Sequence, residues 1–216
     1  MGDMMKILKD LVSAFLAGVM ISLGGAVFLA CENKIVGAIM FSVGLTVILL
    51  FSFLLFTGKT AYVFQNKPSY LLTLCLIWIG NILGCMTTGA LVFLSKPALS
   101  DKAVELCTAK LTQAPWQTVI LGALCGILVY IAVDFFRSDN DNKHYAKYLL
   151  VFTCVPVFIL CGFEHSVADM FYFAAAKMLY TGEGIVYILW VTLGNLIGAV
   201  VFHNLRLFIR EKVKKD

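Results

Sequence analysis

The chain has 216 residues, of which 61% are hydrophobic and only 14% charged, with a formal net charge of +4. A mean hydropathy of +0.91 excludes an ordinary soluble domain. No stretch has room for a soluble catalytic domain, and no basic–aromatic interleaving points to nucleic acid.

A hydrocarbon core about 30 Å thick takes roughly 20 apolar residues of helix. In chain order, uncharged runs cover 11–31, 35–58, 68–95 and 111–133, with 184–202 just long enough. The remaining candidate, 148–176, carries "CGFEHSVADMFYF", which sets Glu164, His165, Ser166 and Asp169 inside a membrane-like stretch. Charged groups at that depth are costly and mark function. Six spans in one all-α membrane domain over 1–216 is the reading. The first run is expected to be retained. Its apolar core is too long for a signal peptide, and no small-x-small cleavage site ends it. With the N-terminus inside, inside segments hold 12 basic residues and outside segments 5. The positive-inside rule then puts both termini, and a basic tail over 210–216, in the cytoplasm.

The loops read as short, about 32–34, 59–67, 96–110, 137–147 and 177–183, and the polar, acid–base mixed inside loop 137–147 reads as solvated. The seven cysteines form no CxxC, and HExxH is absent. No metal and no cofactor are expected, and the thiols read as packing residues. Glu164, His165 and Asp169 also lack the i, i+4 spacing of metal ligands on a helix, which argues against an intramembrane enzyme.

"IGNILGC" (79–85) in span three and "LGNLIGA" (193–199) in span six share G-N-x-x-G. They sit at equivalent places in two three-span halves of opposite orientation, about 9–95 and 111–209, the pattern of a 3+3 inverted repeat. The span before each motif is expected to be broken, span five at "CGFEHS" and span two at "LLFTGKT" (54–60). Non-helical backbone at membrane depth survives where it lines a cavity or lies within protein. Asn81 and Asn195 are positioned to bond the freed backbone groups, with glycines allowing close approach.

These residues resemble the formate–nitrite transporter family of pentameric anion channels. "LFTG" (55–58), "GFEHSVADM" (162–170) and "LGNLIG" (193–198) carry the likeness, and "AGVMIS" (17–22) and "FSVGL" (41–45) fit it. The resemblance covers essentially the whole chain. It implies an aquaporin-like fold, one pore per protomer, a homopentamer and a bacterial inner membrane. By position it makes His165 the central pore histidine, faced by Thr57. Phe41 and Phe158, with Val129 beside them, match the outer constriction; Leu45, Leu55 and Phe56 match the inner one. Lys9 and Lys110 match lysines that draw anions into the two vestibules, though both also read as snorkelling topology residues. Glu164 and Asn195 match residues that hold the breaks, and Glu164 is expected to accept N–H bonds from span two. Ser166 is expected to help hold the same break; Asp169 has no assignment. Two departures stand out. Ser52 and Leu54 occupy places where the family commonly has Gly and an acid, and Gly126 stands where many members have Asn.

The expected function is passive or proton-coupled passage of a small monovalent anion such as formate or nitrite. Lysines concentrate the anion, apolar rings strip its water at high cost, and His165 gives or shares a proton midway. Hydrosulfide, lactate and acetate fit the same scheme. A neutral-solute channel fits less well, because the twin Asn-Pro-Ala loops are missing.

Overall fold

The structure is a computed structural model that describes residues 2–138 and 144–213. Part of the expected 137–147 loop, and residues 214–216 of the expected tail, lie outside the described residues. The described residues form eight α-helices and one 3₁₀ turn: α1 (Gly2–Ala30), α2 (Lys34–Leu50), the 3₁₀ turn (Thr60–Gln65), α3 (Tyr70–Ser95), α4 (Pro97–Leu111), α5 (Pro115–Arg137), α6 (His144–Leu160), α7 (Ser166–Ala175) and α8 (Gly182–Val213). Helices α1, α3, α5 and α8 are long and apolar enough to cross a membrane. Helices α2 and α6 have 17 residues each. At 1.5 Å per residue each reaches only about 25 Å, so each stops inside a bilayer core. The architecture is six spans, with the second and fifth broken.

The two breaks are built alike. Phe53 N–H donates to Ile48 O at 2.9 Å, and Phe163 N–H donates to Phe158 O at 2.8 Å. The residues just before, Ser52 (φ 57) and Gly162 (φ 67), are left-handed. This is a Schellman ending, in which the last helical carbonyls are satisfied by a chain that has turned away. Span two therefore stops at Leu50, short of the expected 58. Past its cap, backbone groups find other partners: Leu54 N–H donates to Ser13 Oγ at 3.1 Å. Ser52 thus stands in a conformation that favours glycine, the residue the family resemblance expects there. Replacing Ser52 by Gly should raise stability by about 1 kcal/mol, and Gly162→Ala should lower it by about as much. A Cβ at Gly162 would meet nothing within 4 Å, so only backbone strain is at stake. Thermal unfolding in detergent should rank S52G above wild type above G162A. Three equal midpoints would discard the capping account.

Asn81 and Asn195 hold the breaks by matching bonds. Asn81 Oδ1 accepts from Phe56 N–H (2.9 Å), while its Nδ2 donates to Leu54 O (2.9 Å) and Ala14 O (2.8 Å). Asn195 Oδ1 accepts from Ser166 N–H (2.8 Å), while its Nδ2 donates to Glu164 O (2.7 Å) and Gly122 O (2.8 Å). The flanking glycines bring the backbones this close. A Cβ at Gly18 would lie 2.2 Å from Asn81 O, and one at Gly126 would lie 2.3 Å from Asn195 O. Gly126 is therefore the repeat mate of Gly18 and packs α5 on α8. A larger residue there has no space in this arrangement.

Two elements differ from the sequence expectation. Residues 96–110 are not a plain loop but mostly α4, opened by Pro97 at its first turn, where proline fits a helix best. Its Ser100, Ala103 and Cys107 are buried, so the segment is folded down onto the bundle. The two broken spans also resume differently. Span two continues only as the 3₁₀ turn, whereas span five resumes as α7, all ten of whose residues are buried. Its irregular lead-in is therefore enclosed by protein, as bilayer depth requires.

Candidate functional site

The second break places His165 as the N-cap of α7, where its Nδ1 accepts from Ala168 N–H at 3.1 Å. A backbone N–H can only donate, so Nδ1 carries no proton in this arrangement. The neutral ring then bears its proton on Nε2, which lies 2.9 Å from Thr57 Oγ1 and donates to it. The first break thus supplies the partner for the imidazole of the second. Thr57 is itself 1% exposed, and its own hydroxyl proton is left for a further acceptor.

Phe158 stacks on His165 with ring centroids 5.6 Å apart and planes 15° from parallel. Phe41 meets Phe158 edge-on at 6.2 Å and 84°. Val129, Leu45, Leu55 and Phe56 are all buried. Phe56 also lines an apolar groove of about 570 Å³ between α3 and α8, with Trp78 and Leu189. The structure therefore brings His165, Thr57, Phe41 and Phe158 together in bonded or ring contact, and sets the aliphatic residues in the surrounding core.

On one side of the histidine lies a cavity of about 100 Å³, lined by Phe41, Phe158, His165, Lys110 and Asp169 among others. Lys110, from α4, is not a free vestibule cation. Its Nζ pairs with Glu164 Oε2 and lies 3.1 Å from Asp169 Oδ1. Glu164 departs from expectation as well. Its carboxylate takes nothing from span two, because Asn81 already satisfies that loop; it takes Lys110 and, on Oε1, Gln113 Nε2 at 2.9 Å. Only the Glu164 carbonyl serves the break, through Asn195. Ser166 likewise contributes its backbone N–H, and among the described residues its buried hydroxyl has no partner. Asp169, unassigned from the sequence, is buried beside Lys110.

At the opposite end, Lys9 is exposed and lines a groove with Ser13, Phe51 and Phe53 next to the first break. The break is tied down there by groups that sequence reasoning missed. Arg137 Nη1 donates to Gly58 O at 3.3 Å, and Tyr70 Oη donates to Lys59 O at 2.9 Å. Tyr62 Oη donates to Asp134 Oδ1 at 2.9 Å, and Asp134 also pairs with Arg206. Burial first, then Asp134, pushes the Tyr62 phenol well above its usual pKa, so it stays a donor. No motif announces these tethers. Gln113 and Tyr187, which complete the Glu164 cluster, are equally silent. Only the residues' common position near span ends hints at them. Among the described residues no group of His, Cys, Asp and Glu could hold a metal ion, and the cysteines are unpaired.

Residues 4–209 match the family described as formate/nitrite transporter. The nitrite transporter NirC of Salmonella typhimurium is 30% identical over an alignment covering 90% of this chain and 80% of that protein. A solved FNT family ion channel superposes with a TM-score of 0.83 at 28% identity, over 94% of this chain and 90% of the other. A pentameric formate channel with formate bound reaches 0.79 over 95% and 98%; at 20% identity the likeness is one of fold. Matched by the family model over residues 4–209, nearly its whole length, the chain belongs to the formate/nitrite transporter family.

Proposed function

We propose that the chain forms a homopentameric channel of a bacterial inner membrane, with both termini cytoplasmic and one pore in each single-domain protomer, for small monovalent anions such as formate or nitrite. One observation carries the reading: a single imidazole N–H, aimed at a threonine hydroxyl, sits between buried apolar rings at the meeting of two broken spans. An anion that has lost its water at Phe41 and Phe158, or at Leu45, Leu55 and Phe56 from the other side, finds neutral hydrogen-bond donors there. Thr57 can turn its hydroxyl proton to the anion while accepting from His165, so the pair donates without either group being charged. Lys9 and the Lys110 cluster set the potential at the two mouths. Exposed apolar residues such as Leu72, Leu91 and Leu94 on α3 give lipid and neighbouring protomers a surface to cover. The relatives' names favour nitrite and formate.

The test is flux through purified protein in liposomes, with sodium formate, nitrite, hydrosulfide, lactate and acetate compared against glycerol and water. Formate or nitrite should pass fastest. Faster lactate, acetate or hydrosulfide would move the substrate within the anion class, and passage of glycerol without any anion would overturn the reading.

A further inference from the structure

The bonding at His165 leaves the proton of a proton-coupled cycle unaccounted for. As placed, the ring donates at Nε2 and accepts at Nδ1. To release a proton and stay neutral it would first have to hold one on Nδ1, which breaks the bond from Ala168 and sets a cation at the positive end of α7. Another group stands one helical turn further on. Asp169 is 1% exposed and lines the same cavity as His165, Phe41 and Phe158. Its Oδ1 lies 3.1 Å from Lys110 Nζ, and among the described residues its buried Oδ2 has no hydrogen-bond partner.

The charges decide which carboxyl is ionised. Glu164 has a donor on each oxygen, Lys110 on one and Gln113 on the other. It is therefore the anion that Lys110 balances. A second ionised carboxylate would leave one negative charge uncompensated, with a buried oxygen lacking any donor. With a proton on Oδ2 the group is neutral, Oδ1 still accepts from Lys110, and the orphan atom becomes a donor in need of an acceptor. The cavity supplies the space for one. The other groups around Asp169 do not alter this balance. They are Cys107 on α4, Cys125 on α5, His165 in the break, Tyr172 on α7 and Tyr187 on α8. The buried stretch of α1 carries no acid or base.

We propose that Asp169 works as a carboxylic acid and passes its Oδ2 proton to the small anion in this cavity. The Oδ2–H bond breaks and its electron pair stays on the carboxylate. A new O–H bond forms on an oxygen of formate or nitrite, and the neutral acid moves through the apolar ring. The Asp169 carboxylate, held by Lys110 meanwhile, regains a proton from hydronium in the water at the mouth. Run backwards, the same steps carry the acid the other way. This rests on the reading of the chain as an anion channel.

Two measurements test it. In infrared spectra of the purified protein at neutral pH, aspartate labelled with ¹³C at its carboxyl carbon should show a protonated C=O band. The band should vanish in D169N and change when sodium formate is added. In liposomes carrying an internal pH dye, D169N should lower formate flux in both directions, because the anion no longer receives the proton with which it crosses the apolar ring. Its acid-driven proton co-movement should fall about 100-fold, the scale of a lost proton donor, and D169E should restore part of it. A wild-type spectrum without the labelled band, or D169N acidifying vesicles like wild type, overturns the proposal. If D169N fails to fold, the response of the wild-type band to formate decides. Wild-type vesicles that pass neither formate nor nitrite overturn the channel reading instead, and the band alone then decides the state of Asp169.

Discussion

Replacing His165 by Asn should cut formate and nitrite flux roughly 10- to 100-fold while leaving the fold intact. Asparagine at an N-cap accepts from the first-turn N–H as histidine Nδ1 does, so Ala168 keeps its partner. Its short side chain cannot reach Thr57, however, and the anion loses a donor at the driest point of the pore. A hydrogen bond to a charged group is worth about 1.5–3 kcal/mol, which converts to that range of rates. His165→Phe removes both the donor and the cap, so it should lose the flux and in addition about 0.5–2 kcal/mol of stability. Comparing the two separates pore chemistry from capping. Liposome flux against pH gives a second readout. The imidazole acts here as a neutral donor, so H165N should keep the shape of the wild-type pH profile at reduced height. An H165F protein with unchanged rate and profile would remove the histidine from the mechanism altogether.

Much of this architecture was legible in the sequence because hydrophobic run length and the repeated G-N-x-x-G are direct consequences of bilayer thickness and close helix packing. The equivalence of the two halves holds down to single bonds at Asn81 and Asn195. What the sequence hid is tertiary. The length of an apolar run does not show where a helix ends when, as at Ser52, a residue without a glycine's freedom takes the left-handed cap. Segment 96–110 is polar enough to read as a loop, yet its small residues fold it inward as α4. That fold carries Lys110 onto Glu164 and Asp169. Neither charge partner is close in sequence, so the pairing of Lys110 was not legible there. His165 was recognisable from its motif, but its tautomer follows only from the N–H of Ala168.

The equivalence of the two asparagines also yields an unequal expectation for their loss. Asn195→Leu should destabilise the protein by about 3–5 kcal/mol and abolish flux, the size expected when several buried polar groups lose their partners at once. Ser166 N–H and the Glu164 carbonyl would each be orphaned at a depth where no bulk water can replace Asn195. Asn195→Asp should fare little better. It keeps the acceptor for Ser166 but turns an oxygen toward the carbonyls of Glu164 and Gly122. Asn81→Leu breaks the same three kinds of bond in the first half. There the loop remains tied by Ser13 to Leu54, by Arg137 to Gly58 and by Tyr70 to Lys59. Among the described residues the second break has no such set of backbone tethers; Glu164 N–H reaches Leu121 O at 3.3 Å, and the Glu164 side chain is engaged with Lys110. Asn81→Leu should therefore assemble and unfold at a temperature between those of wild type and Asn195→Leu, with flux reduced because Thr57 is no longer held against His165. Equal melting points for the two variants would mean that the tethers from Arg137 and Tyr70 carry no load. A wild-type melting point and flux in Asn195→Leu would mean that the break supports itself, and that its histidine is positioned by packing on Phe158 alone.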